Sequence, residues 1–264
     1  MNMKNLWKVT VVIFALLLVT VSCNKDEFTP VTTKGDETTN VDFRDNTPAL
    51  LQLVHNSPDP DADKVDIYIN NTLVADDISY LTATEFIEVP APAKVRVIVA
   101  PANSASAADG IARFDVRVES NTTYIGVANG FLLEYPGFMI DVFEPAVEDA
   151  PSEMFNLAIH HGSPSTDATT LDVSFRENED MGGRMFYSDF TDRQGIAYDD
   201  YTIEIKRPYR SRPIATYEAD FSEVDSVGQS GVAIITGTLS SADAPFGMIV
   251  VLEDGNVIEL PLAN

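Results

Sequence analysis

Apolar and polar residues alternate with a period of two at several points along the chain. Val65-Asp-Ile-Tyr-Ile-Asn70, Lys94-Val-Arg-Val-Ile-Val99, Phe114-Asp-Val-Arg-Val118 and Tyr201-Thr-Ile-Glu-Ile-Lys206 each place their apolar side chains on one side. Successive side chains of a strand point to opposite faces, so this pattern predicts strands with one buried face. Gly231 to Ile235 and Met248 to Leu252 are apolar almost without interruption and suit central strands. Turn residues separate these runs at short intervals, and no segment after residue 23 keeps a helical period over three turns. The expectation is an all-β chain.

The pattern also repeats. Residues 55–67 read H-N-S-P-D-P-D-A-D-K-V-D-I and residues 161–173 read H-G-S-P-S-T-D-A-T-T-L-D-V, 106 positions apart and without a gap. Tyr124 to Gly130 then matches Gly231 to Gly237, and Met139 to Glu144 matches Met248 to Glu253. Three matches in order point to a tandem duplication. The expected copies span residues 47–146 and 152–264, each an immunoglobulin-like or transthyretin-like sandwich of seven or eight short strands.

The start of the chain has a different character. Lys4 and Lys8 precede an apolar run from Val9 to Val21, interrupted only by Thr10 and Thr20, and Ser22 precedes the lone cysteine, Cys23. The run is too short to span a bilayer but suits the core of a signal peptide over residues 1–22. Residues 23–46, rich in Thr, Asp and Glu, read as a flexible tether. The leader resembles a bacterial lipoprotein signal, with Cys23 as the lipid acceptor. Cys23-Asn-Lys25-Asp26-Glu27 is similar to the export signal of Bacteroidota lipoproteins. That resemblance implies a lipid-anchored protein on the outer face of the outer membrane. An ordinary secretory signal with a spare cysteine is the alternative.

Charge narrows the partners. The chain carries −24, and residues 1–22 hold two lysines and no acid, so the remainder is two units more negative still. Such a surface repels phosphates, which argues against nucleic acid. A hydrophobic content of 45% is enough for packed cores.

Leu53-Val-His-Asn-Ser-Pro-Asp59, Val65-Asp-Ile-Tyr-Ile-Asn-Asn71 and Phe86-Ile-Glu-Val-Pro-Ala91 together look like domain of unknown function 4397 (DUF4397). The second copy keeps His161-Gly-Ser-Pro164 and Leu171-Asp-Val173 but has no valine-proline-alanine segment. The resemblance implies a β-sandwich and supplies no activity.

The candidate residues fall into three groups. The repeated motif contributes His55, Ser57, Pro58 and Asp66, with His161, Ser163, Pro164 and Asp172 as counterparts. The histidines and serines read as turn-fixing residues, since no G-x-S-x-G elbow surrounds either serine. Asp59, Asp61, Asp63 and Asp66 offer carboxylates at the alternating spacing of a calcium loop. Lys64 and Asn70 nevertheless stand where an EF-hand needs Gly and Glu, so a solvated acidic turn is the competing reading.

The third group is a contact surface. Lys206-Arg-Pro-Tyr-Arg-Ser-Arg-Pro213 gathers four of the 17 basic residues at one predicted hairpin tip. Arg207, Arg210 and Arg212 around Tyr209 suit an acidic glycan or protein, or else pair with neighbouring acids. Phe131 and Tyr135 belong to an apolar connection that either packs between the copies or meets a partner. Asp225-Ser226-Val227 fits a short O-glycosylation motif. The reading is a non-catalytic surface lipoprotein that binds or presents a glycan or protein, without a required cofactor. A structural spacer with protein contacts only is the alternative, and a carboxylate-based hydrolase is a weaker one.

Overall fold

The computed structural model describes residues 46–144, 154–222 and 230–263. The leader, Cys23, Lys25, Asp26, Glu27, nearly all of the tether and the 225–227 motif lie outside the described residues. Among the described residues there are eighteen strands, nine from each expected copy. The first copy supplies β1 (Ala49–His55), β2 (Lys64–Ile69), β3 (Thr72–Ser79), β4 (Thr82–Ala83), β5 (Ile87–Val89), β6 (Ala93–Pro101), β7 (Ala112–Val118), β8 (Thr123–Asn129) and β9 (Met139–Phe143). The second supplies β10 (Met154–His161), β11 (Thr170–Phe175), β12 (Gly182–Phe186), β13 (Gln194–Ala197), β14 (Asp200–Lys206), β15 (Ala215–Asp220), β16 (Ser230–Thr236), β17 (Gly247–Leu252) and β18 (Val257–Glu259). Among the described residues the only helical segments are the 3-10 turns Pro60–Ala62, Ala107–Asp109 and Thr166–Ala168.

Each copy is a pair of sheets. In the first, β4, β1, β8 and β9 form one sheet, with β5 also on β1, and β3, β2, β6 and β7 form the other. In the second, β13, β10, β16, β17 and β18 face β12, β11, β14 and β15. The first strand of each copy runs parallel to its late partner, β1 to β8 and β10 to β16.

The sheets that carry these parallel pairs also pack against one another, so the stack has four layers. Leu51, Leu53 and Tyr124 point into the core of the first copy, whereas Val54, Ile125 and Val127 point the other way. There they meet Ala158, Val232, Ile234, Ile249 and Val251 of the second copy. Phe155, Leu157, Ile159, Ala233 and Ile235 fill the second copy's own core. An inner strand is therefore covered on both faces, which is why β16 is buried throughout and reads as a continuous apolar run. The outer strand β14 has solvent on one side and alternates.

Register refines the duplication. Gly126 lies beside Leu53 and Ala233 beside Ile159, which fixes β8 and β16 as equivalents 107 positions apart. Phe143 pairs with Ile125, and Val251 pairs with the equivalent Val232. The third sequence match is thus one residue out: Met139 corresponds to Gly247, not to Met248. Because side chains alternate, that single step turns a strand over. It places Asp141 where the second copy has Ile249, facing the junction.

Candidate functional site at the junction of the two copies

The repeated turn is built the same way twice. At the end of β1, His55 Nε2 lies 2.6 Å from the Ala62 carbonyl oxygen; at the end of β10, His161 Nε2 lies 2.7 Å from that of Ala168. A carbonyl only accepts, so both rings carry their hydrogen on Nε2. Both Nδ1 atoms are buried without a partner. Burial pulls the His161 pKa down to about 4 and lowers that of His55. Ser57 Oγ donates to the Gly130 carbonyl and Ser163 Oγ to that of Gly237, each at 2.6 Å. Tyr80 stands edge-on to His55 and Tyr187 edge-on to His161.

Where the two turns meet, the apolar junction gives way to a polar cluster. Asn56 Nδ2 donates to Asn129 Oδ1 at 2.6 Å and to the Gly162 carbonyl at 3.1 Å. Asn129 Nδ2 lies 2.8 Å from Asp141 Oδ2 and 3.0 Å from His160 Nε2. His160 Nδ1 donates to the Asp189 carbonyl at 3.1 Å, leaving Nε2 bare to accept from Asn129. His160 is fully buried, and burial pulls its pKa down to about 3. Its 3.6 Å approach to Asp141 is accordingly the contact of a neutral imidazole with a carboxyl. Burial pushes the Asp141 pKa up, against hydrogen bonds from Ser188 and Asn129 that lower it. Phe190 stacks on His160 with centroids 3.9 Å apart, and on Phe143 of the first copy at 4.9 Å.

Two further hydrogen bonds cross the junction. Gln52 Nε2 donates to the Leu252 carbonyl at 2.9 Å, and the Tyr80 hydroxyl lies 2.9 Å from Thr236 Oγ1. Buried polar groups that satisfy one another across an apolar contact fix how its two sides are oriented. Sequence reasoning singled out none of Gln52, Asn56, Asn129, Asp141 and His160 as a junction residue. The pertinent signal was the doubly apolar character of the inner strands.

A family model described as "Domain of unknown function (DUF4397)" matches residues 49–174. These residues belong to that family. The DUF4397 segment takes in the whole first sandwich and continues through β10 into β11, so both His-x-Ser-Pro turns and the Asn56–Gly162 contact lie within it. No curated protein matches the chain.

Within the DUF4397 segment the four candidate acids separate. Asp59 accepts from the Asp61 amide at 2.8 Å and the Leu132 amide at 2.6 Å, while Asp61 and Asp63 are exposed. Asp66 is buried on β2 and accepts from the amides of Asp77 and Ser104 and from the Ser104 hydroxyl. Burial would raise its pKa, yet these hydrogen bonds hold it below the usual value. Its carboxylate lies within 4.8 Å of those of Asp76 and Asp77, and among the described residues no three of Asp59, Asp61, Asp63 and Asp66 come so close. The counterpart Asp172 does something else: it pairs with Arg184, at 2.7 and 3.1 Å.

That pair supports the basic tip. The Arg184 guanidinium lies 4.8 Å from the Tyr209 ring centroid, and its Nη1 donates to the Tyr209 hydroxyl at 3.2 Å. Tyr209 is 91% exposed and sits at φ +61, in the left-handed region that costs a residue with a Cβ about 1–2 kcal/mol. Arg207 Nε donates to the Asp167 carbonyl, and Lys206 pairs with Glu204. Arg210 and Arg212 are exposed, and neither has an ion pair among the described residues. In the 131–138 connection, Phe131 is half-buried, Leu132 and Phe138 pack on the first core, and Leu133 and Tyr135 stand 90% and 80% exposed.

Proposed function

We propose that the chain is a non-catalytic, lipid-anchored surface protein that binds an acidic glycan or protein through the β14–β15 tip. The observation that carries this reading is the construction of the tip. Arg184 is held between Asp172 and Tyr209, and Tyr209 is presented in a strained conformation beside Arg210 and Arg212, which are exposed and have no ion pair among the described residues. On a chain of net charge −24, a local group of exposed guanidinium forks is a distinct place for carboxylate or phosphate. Absence of catalysis is consistent with the repeated motif, whose Nε2 atoms and serine hydroxyls are engaged with backbone carbonyls. Anchoring would come from a lipid on Cys23, with Lys25, Asp26 and Glu27 directing the protein to the outer face of the outer membrane.

The test is binding of the full chain to an array of carboxylated and phosphorylated glycans and to surface proteins of its source. The expected result is capture that disappears in Arg210→Glu/Arg212→Glu. Capture unaffected by that double change removes the tip from the reading. Replacement of Cys23 by Ala should release the protein from the membrane fraction.

A further inference from the structure

Between the two copies lies a cleft of about 330 Å³. Asp59, Asp63 and Tyr80 of the first copy form one wall, and Ser241 and Asp243 of the second form the other. Its free chemistry is lopsided. The Tyr80 hydroxyl is engaged with Thr236, and the Ser241 hydroxyl oxygen accepts from the amides of Asp243 and Ala244. Asp59 is held by backbone amides, whereas Asp63 and Asp243 are exposed carboxylates. None of the three acids has an ion pair among the described residues. A cleft lined by one sign of charge concentrates the opposite sign, and Tyr80 adds an aromatic wall of the kind cations favour. The occupant that fits is a cationic side chain.

The chain itself displays such side chains. Arg210 and Arg212 are exposed at the tip beside Tyr209, and among the described residues neither has an ion pair and no hydrogen bond or ion pair joins that tip to the cleft. We propose that the basic tip of one molecule docks in the acidic junction cleft of a second copy. The proposal rests on the reading of the tip as a contact surface and gives it a partner. It draws the cleft into function as well, since both copies must be packed together for Asp63 and Asp243 to face one opening.

Salt is a poor test, because added ions screen both this attraction and the repulsion between two strongly acidic molecules. Exchange of charge is decisive. The full chain, in neutral detergent, is followed by sedimentation velocity over a concentration series. The wild type should associate, and Arg210→Glu/Arg212→Glu and Asp63→Arg/Asp243→Arg should each weaken association about tenfold or more. An equimolar mixture of the two variants should associate again, because acidic tips then meet basic clefts. All four positions are exposed, and unchanged melting curves verify that the variants fold.

A wild type that stays monomeric, or a mixture that fails to regain association, overturns the proposal. Association that survives either double change also overturns it. A monomeric wild type that still captures an acidic glycan through Arg210 and Arg212 would leave the tip reading standing and remove only the second copy as its partner. If Arg210→Glu/Arg212→Glu alters neither association nor capture, both fall.

Discussion

The side-chain amide of Asn56 donates to the backbone carbonyl of Gly162, the residue that occupies the position of Asn56 in the second copy. Contact between equivalent positions means that the two copies present the same face to each other, as the subunits of a symmetric dimer do. The symmetry is broken at the point of contact itself, because one position carries a side chain and the other cannot.

A Cβ on Gly162 would lie 2.5 Å from Asn56 Nδ2 and 2.6 Å from Asn129 Oδ1. Gly162→Ala should therefore destabilise the protein by about 1–3 kcal/mol, read from the urea midpoint. Gly137→Ala is the control. Nothing lies within 4 Å of its Cβ, and it should stay within about 0.5 kcal/mol of wild type.

His160 and Asp141 occupy places that Val54 and Ile249 fill in the other copy. His160→Val alone removes one of the two hydrogen bonds to the Asp189 carbonyl, the contact with Asn129 Nδ2 and the stack on Phe190, at a cost of about 1–3 kcal/mol. Adding Asp141→Ile should be less harmful than the sum of the single changes, with a coupling of about 0.5–3 kcal/mol in a double-mutant cycle. Strict additivity would show that the two side chains act independently.

Acid should loosen the fold before the carboxylates titrate. His160 and His161 resist protonation in the folded chain until about pH 3 and 4, whereas the unfolded chain protonates them near 6.5. Their stabilising effect is full above pH 6.5 and falls by about 1.4 kcal/mol per pH unit for each ring as pH drops through that window. Asp141, with its raised pKa, works in the opposite direction because the folded state takes its proton first. Urea midpoints at pH 7.5, 6 and 5 should decline, and His160→Val should make the decline shallower.

Ser57→Ala and Ser163→Ala should cost similar amounts, about 1–3 kcal/mol each, since each leaves a buried glycine carbonyl without its donor. Amide exchange should quicken locally, in the turn of the altered copy.

The strands were legible because burial leaves a period in the sequence. One-sided strands such as Tyr201 to Lys206 alternate, and β16 and β17, covered on both faces, do not. The His-x-Ser-Pro repeat marked the turns because both copies retain it. The junction cluster left no comparable trace. Asn56 meets Asn129 and Gly162, and Asn129 meets His160, across separations of 31 to 106 residues. Side-chain contacts at such separations follow from how the sheets pack, which no local pattern records. The slip between Met139 and Gly247 has a related cause: two methionines coincide in sequence, whereas pairing with β8 decides which face Asp141 takes.

The apolar face shared by the two copies limits what can be cut from this chain. A fragment ending at Glu144 would lay Val54, Ile125 and Val127 open to water, around a histidine-free half of the polar cluster. The complementary fragment would uncover Val232, Ile234, Ile249 and Val251. Either piece, made alone, should be sticky and short-lived, and the two expressed together should find each other. What was duplicated is half of a unit, and a shuffled copy would carry its need for the other half along with it.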